Sequence, residues 1–412
     1  MSTEQLVPRP LAENELDRFL ELDEIAFTEG PASPELDAIN RELLELDRTI
    51  GVFDGPLLVG GASIFSFEMN VPGGLVPFAG VSWVSVLATH RRRGVLSAMM
   101  RHQLHGLHES GGEAIAGLTA SEAPIYGRFG YGPATKAVSL TIPRHENALR
   151  LPEGTEAVTL RLVPTADTID VCDEVFARQV SKRPGAIVCT PAWARVHAAD
   201  LSEWRGGGSR LRTVLAERDG KVVGFTRYRT KPEYHHGVHV GCVSVSGILA
   251  DDAAAYAALL RYLVNIDLTT TTALIGLPPD EPVIHLLMNP RAAEMSVDDK
   301  LYLRLVDVDR ALASRTYSAP LDLVIEVADV FCPWNDGRWR LYGDEKGAHC
   351  ERTDAAPDLA LGVRELGAVF LGGTTFTSLA AAGLVEERRS GALGEASRAF
   401  SAYLAPWLSY GF

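Results

Sequence analysis

Between Val81 and Gly112 the chain reads VSWVSVLATHRRRGVLSAMMRHQLHGLHESGG, and this succession of a β-rich run, an arginine turn and an amphipathic run leaves few folds open. From Val81 to Ala88 the residues alternate, with Val81, Trp83, Ser85 and Leu87 on one face and Ser82, Val84, Val86 and Ala88 on the other, which is the period of a strand. The strand run ends at His90. Val95, Leu96, Met99, Met100, Leu104 and Leu107 then recur at helical spacing until Gly111-Gly112. The pattern predicts strand, turn and helix, with the helix starting directly after Arg91, Arg92, Arg93 and Gly94.

That order has a chemical consequence. A helix start offers unpaired N–H groups and the positive end of the macrodipole, so a glycine turn with three arginines makes a pocket for a polyanion such as a pyrophosphate. A solvated basic turn gives the same letters. The pattern Arg91-x-x-Gly94 resembles the acetyl-CoA loop of the Gcn5-related N-acetyltransferases, Arg/Gln-x-x-Gly-x-Gly/Ala, although Leu96 stands where that pattern has a small residue. Glu113 to Thr119 reads as a second strand, Ser121 as the cap of a short helix carrying Tyr126, and Gly130 as its end. Together, THRRRG and the run Ile125-Tyr126-Gly127-Arg128-Phe129-Gly130-Tyr131-Gly132 resemble the Eis (enhanced intracellular survival) family of acetyltransferases.

The resemblance covers the whole chain. It implies an α/β (α+β) fold of two tandem acetyltransferase-type mixed-sheet domains followed by a sterol-carrier-protein-like α/β domain. The expected bounds are 1–150 for the active domain, 151–297 for a degenerate copy and 298–412 for the last. It also implies acetyl-CoA as co-substrate, polycationic amines such as aminoglycosides as acceptors, an antibiotic-resistance role and a hexamer. In the family a tyrosine on the short helix faces the thioester sulfur, which points to Tyr126, and a final Phe carboxylate reaches the active site, which Phe412 matches. Thr119 stands at the strand end where a relative has a His.

The residues themselves carry part of this. Glu13 to Phe27 and Pro34 to Leu46 read as amphipathic helices, rich in Asp23, Glu24, Glu29, Glu35 and Asp37, where acetyltransferases of this fold wall the acceptor site. Thr49 to Phe67 reads as a hairpin turning at Asp54-Gly55, and Tyr131 to Pro143 as a further strand closing the first domain. Arg212 to Arg229, His239 to Ser246 and Ala253 to Ile266 repeat the hairpin, strand and helix. The second copy, however, has Leu249-Ala250-Asp251-Asp252 in place of the arginines, and two carboxylates repel a pyrophosphate. The third unit is expected to begin with a strand at Leu301 to Leu305. Further strands follow from Leu321 to Thr353, then Pro357 to Leu371 and a helix from Thr377 to Glu387.

For chemistry, Val84, Ser85 and Val86 on the first strand, with Arg91, Arg92, Arg93, Gly94 and Val95 in the turn, are the expected cofactor-binding residues. Backbone N–H groups at Val84 and Val86 suit the pantetheine amide or the thioester oxygen. Tyr126 suits protonation of the leaving thiolate, and the Phe412 carboxylate suits removal of the amine proton. Glu24, Phe27, Glu29 and Thr119 are the expected acceptor-binding residues. No metal site is expected, because the His102, His105, His108 and His235-His236-x-x-His239 groups lack Cys or acidic partners.

Composition bounds the rest. A net charge of −14 disfavours nucleic acid and favours a small cationic amine. The acidic start without a basic and apolar leader, the lack of an eighteen-residue apolar run, and five scattered cysteines are expected of a cytoplasmic protein with no membrane association. Acceptors other than drugs remain open at this stage: protein lysine or N-terminal amines, polyamines, or a non-catalytic role in binding lipid or CoA.

Overall fold

The computed structural model describes residues 6–412, and the chain divides into two compact units that cut across sequence order. One holds the residues up to 135 together with 184–187 and 300–412; the other holds 136–183 and 188–299. No helix among the described residues is long and apolar enough to cross a membrane.

The first unit contains a seven-stranded sheet. Its strands run, edge to edge, Pro8–Pro10, Thr49–Asp54, Leu57–Val71, Gly74–Val86, Ile115–Thr119, Leu301–Leu305 and Gly132–Pro133. The predicted hairpin is present and longer than its alternation suggests. Leu57–Val71 buries nearly every residue, and a strand covered on both faces loses the polar half of the pattern. Leu16–Phe27 and Pro34–Leu43 form the first two helices, the second started by the Ser33 side chain accepting from the Leu36 N–H. Val95–Ser110 forms the third and buries Val95, Met99, Met100, Leu104 and Leu107.

Several expectations are corrected here. The strand Leu301–Leu305 does not open the last domain's sheet. It lies inside the first sheet, between Ile115–Thr119 and Gly132–Pro133, and all five of its residues are buried. Tyr131 to Pro143 is two strands rather than one. Gly132–Pro133 stays in the first sheet, while Lys136–Pro143 pairs with Thr269–Leu277 and Glu294–Asp299 in the other unit. Ser121 does not cap the short helix, a single 3₁₀ turn at Tyr126–Phe129 that lies too far downstream and has Ile125 at its N-cap. Its end at Gly130 is as expected, with φ +86, a left-handed value that favours glycine. Pro357 to Leu371 is a strand, Leu359–Gly362, followed by a helix, Val363–Val369. The helix expected over Thr377–Glu387 covers only Phe376–Ala381, and Val385–Glu387 returns as a strand. These last strands complete a five-stranded sheet ordered Gly347–Arg352, Gly337–Asp344, Leu321–Ala328, Leu359–Gly362 and Val385–Glu387.

The second unit carries its own seven-stranded sheet, ordered Glu294–Asp299, Lys136–Pro143, Thr269–Leu277, Gly241–Ala250, Lys221–Lys231, Arg212–Arg218 and Thr159–Val163. Helix Ala253–Val264 is apolar almost all round and is buried along nine of its twelve residues. Glu281 is enclosed in this unit at 6% exposure, and burial, opposed only in part by Tyr256 and Arg183, pushes its carboxyl up to about 7. Since the unfolded group titrates near 4.5, the folded state holds the extra proton between those values, and stability falls as pH rises through that window. The full cost, about 3 kcal/mol at ~1.4 kcal/mol per pKa unit, is in place above pH 7. Glu281→Gln is therefore expected to raise the melting temperature at pH 8 and to have almost no effect at pH 4.5. Equal shifts at both pH values would contradict this origin.

Candidate active site

The central feature of the first sheet is a fork. Phe78, Ala79 and Gly80 pair in parallel with Ile115, Ala116 and Gly117. Beyond them the strands part: Leu118 and Thr119 pair with Tyr302 and Leu301, while Val81 to Val86 keeps only its hairpin partner. Glycines sit where the strands separate because aromatic rings occupy the space of a Cβ. One placed on Gly117 would lie 2.8 Å from the Phe78 ring, and one on Gly80 would lie 2.7 Å from Phe67 and 3.0 Å from Phe412.

The free arm of the fork is bulged. Gly61 faces Ser85 and Ser63 faces Ser82, so one extra residue is accommodated around Trp83, which takes φ +49. Phe19 and Phe65 hold this indole, with ring centroids at 6.0 and 5.7 Å. A bulge breaks the ladder locally; of the predicted stretch it includes Val84, while Ser85 and Val86 stay paired with Gly61 and Gly60.

The arm ends at the arginine turn. His90 is buried and fastens it, with Nε2 at 3.1 Å from Asp54 Oδ2 and Nδ1 at 2.8 Å from Thr89 Oγ1. Arg93 lies 3.3 Å from the same Asp54 carboxylate, which draws it toward the hairpin turn. Arg91 and Arg92 are exposed, and neither forms an ion pair among the described residues. Gly94 takes φ +86 with open space where a Cβ would lie, and the helix that begins at Val95 has no side-chain cap for its first N–H groups. Two unpaired guanidinium groups beside a sixteen-residue helix start suit a polyphosphate chain.

Tyr126 is half-buried, packs edge-on to Tyr131 at 6.0 Å, and its hydroxyl makes no hydrogen bond among the described residues. Burial, with Glu122 adding, pushes its phenol up to about 12. The last residues are docked. The Trp407 N–H donates to the Pro184 carbonyl at 2.9 Å, and the Ile187 N–H donates to Ser409 Oγ at 3.1 Å. The Phe412 ring lies 5.2 Å from Phe67 and 5.9 Å from Phe78, which puts this residue at the point where the fork opens. Gly411 reaches it without a positive φ.

The acidic residues separate by role. Glu24 accepts the Ala32 N–H at 2.8 Å and ties down the loop after the first helix, while Glu29 and Phe27 stay exposed at that helix's C-terminal end. This end carries negative dipole charge, which favours a cation. Thr119 is half-buried and faces Leu301. Among the acids expected along the acceptor wall Asp23 differs from the rest, because its Oδ1 accepts from Ser85 Oγ at 2.5 Å. The available signal was its position four residues after the core residue Phe19, on the same helical face. Gly80 and Gly117 were also missed, because a glycine inside an apolar run does not announce the ring it makes room for.

At the corresponding place in the second unit, Gly241 to Val245 pairs in parallel with Thr269 to Leu274, and the turn carries Asp251 and Asp252. Asp252 caps helix Ala253–Val264 by accepting the Ala255 N–H at 3.0 Å, and it is paired with Arg218, which lowers its carboxyl pKa. Asp251 lies 2.9 Å from Arg178. Both nearby cations are thus spent on carboxylates.

Comparison with known proteins agrees with this geometry. Residues 7–134 and 185–305 each match an acetyltransferase (GNAT) domain family, and residues 308–409 match a sterol carrier protein domain. The chain is 48% identical over 410 residues to an uncharacterized N-acetyltransferase of Streptomyces coelicolor, covering 98% of this chain and 99% of that one. It is 32% identical over 383 residues to the N-acetyltransferase Eis of Mycobacterium tuberculosis, covering 89% and 90%. Among solved structures, Eis1 from Mycobacterium abscessus superposes with a TM-score of 0.83 at 34% identity, covering 98% of this chain and all of that one.

Proposed function

Because the chain belongs to the Eis family of Gcn5-related N-acetyltransferases, we propose that it moves the acetyl group of acetyl-CoA onto amines of small polycationic molecules, aminoglycosides among them. The observation that carries this reading is the bulged arm of the fork ending at Arg91 and Arg92, two cations left unpaired beside an open helix start. Arg91, Arg92 and the N–H groups from Val95 onward hold the pyrophosphate, with Arg93 shared with Asp54. The backbone from Val84 to Val86, which leads out of the bulge, holds the pantetheine and thioester end. Tyr126 donates its proton to the leaving sulfur, and the Phe412 carboxylate takes a proton from the attacking nitrogen. Glu24, Phe27, Glu29 and Thr119 line the acceptor side.

A thiol-release assay with acetyl-CoA, run across aminoglycosides, polyamines, lysine peptides and a neutral amine, tests the reading. Polycations are expected to be preferred, with an acceptor KM that rises with salt. A preference for lysine peptides or a neutral amine would move the acceptor class, and the absence of thiol release from every acceptor would end the acetyltransferase assignment. A second expectation concerns stoichiometry. With Asp251 and Asp252 paired to Arg178 and Arg218, an incoming pyrophosphate would have to break both pairs, so calorimetric titration should give one acetyl-CoA per chain. Two sites of similar affinity would contradict it.

A further inference from the structure

We propose that Asp23 is a catalytic residue of the acetyl transfer: held by Ser85 on the bulged arm of the fork, its carboxylate takes the first proton from the incoming ammonium group. This inference rests on the acetyltransferase reading above.

The geometry comes from two repeats in step. Four residues along the helix Leu16–Phe27 advance about 6 Å, and two residues along the strand beneath advance about 6.8 Å. Phe19 meets Trp83, and one turn later Asp23 meets Ser85. Ser85 is 2% exposed and spends its only hydroxyl proton on Asp23 Oδ1, which fixes the carboxylate at the bulge. The other oxygen, Oδ2, forms no hydrogen bond with a described residue, which leaves it without a fixed partner. The groups around it are acidic. Glu24 and Glu29 lie on the same helix end, and the two hairpin strands under the helix contribute one charged residue, Glu68, and no cation. Burial first, then Glu29 and Glu24, raise the Asp23 carboxyl above the usual range, against the lowering effect of the Ser85 bond. The result is a stronger base than a solvated carboxylate.

The chemistry needs two proton acceptors at different moments. An amine arrives as an ammonium ion and must lose one proton before its lone pair can attack. That proton goes to Asp23 and from there to water. The C–N bond then forms as a tetrahedral adduct, in which the nitrogen is far more acidic, so the weak Phe412 carboxylate suffices for the second proton. The C–S bond breaks, Tyr126 protonates the sulfur, and the proton held by Phe412 restores Tyr126. Ammonium and thioester thus become amide, thiol and one proton released to solvent.

Asp23→Asn tests the assignment, because the amide oxygen still accepts from Ser85 and the side chain keeps its shape. With a polyamine acceptor, kcat/KM is expected to fall about a hundredfold at pH 7. The loss should close to within about threefold near pH 10, where roughly a quarter of a primary amine is already neutral, while the acetyl-CoA KM stays unchanged throughout. Ser85→Ala should give a smaller loss with the same pH dependence, and it carries the test if the first variant does not fold. A loss equal at every pH marks a structural role and overturns the proposal, as does an unchanged kcat/KM at pH 7. Either result with an active parent leaves acetyl transfer standing. A parent inactive toward every acceptor removes both.

Discussion

Tyr126→Phe should turn over about a hundredfold more slowly than the parent while binding acetyl-CoA equally well and melting at the same temperature. General acid catalysis is typically worth ~10²–10⁴-fold, and the variant removes the donor without changing the ring that packs against Tyr131. The phenol is pushed up to about 12, so it keeps its proton across any practical pH range. At first sight this makes it too weak an acid for a thiolate whose unperturbed conjugate titrates near 8.5. A thiolate developing beside this phenol would meet the same burial, however, which would raise its basicity in parallel and preserve the match. Two consequences separate this from a packing role. The parent's kcat profile should show no basic limb from Tyr126 below about pH 11, and the variant's deficit should lie in kcat rather than in KM. Turnover within threefold of the parent would pass the donor role to water.

Much of this site was legible because local signals and tertiary structure agree there. The turn at Arg91 to Gly94 was readable from charge and from the switch between a two-residue and a helical period, and the structure puts the helix start at Val95. The docking of the last residues was readable from their apolar, aromatic character. What escaped was decided by partners distant in sequence. Nothing in Leu301, Leu303 and Leu305 says which sheet they join, and their alternation only states that a strand is present. The break between Gly132–Pro133 and Lys136–Pro143 is a crossing between units that no local residue marks. Asp23 does not stand out from the other acids of the acceptor wall because the serine that holds it lies 62 residues away. The short helix with Tyr126 was legible from its Tyr-Gly-x-Phe-Gly run, but its lone 3₁₀ turn was not, since Ser121 offered a plausible cap the chain does not use.

The support beneath that short helix leads to the largest stability effect expected in the molecule. Arg304 and Asp329, 0% and 1% exposed, form an ion pair at 2.6 Å. Arg304 belongs to the inserted strand Leu301–Leu305. Asp329 follows the strand Leu321–Ala328, so the pair joins the forked sheet to the C-terminal sheet. Asp329 also accepts from Asn335 Nδ2 and from the Cys332 N–H, each at 3.0 Å, while Asn335 accepts the Val308 N–H. A Cβ on Gly130 would lie 2.8 Å from Arg304 Nε, so the guanidinium sits directly against the end of the helix that carries Tyr126. Arg304→Met strands a buried carboxylate and is expected to cost about 3–5 kcal/mol in denaturant unfolding. Asp329→Asn alone strands the guanidinium and should cost a comparable amount. The double variant removes both charges, and its one amide oxygen keeps either the Cys332 N–H or Asn335 Nδ2, which Asp329 now serves with separate oxygens, so it should recover part of the loss. Its coupling is the quantity to measure, because desolvation makes an intact buried pair worth far less than the penalty for breaking it. If the losses simply add, the pair is not a unit and the two sheets are held together by apolar packing alone. If the double variant regains stability but not kcat, the guanidinium has a second role, in setting the position of Tyr126 through Gly130.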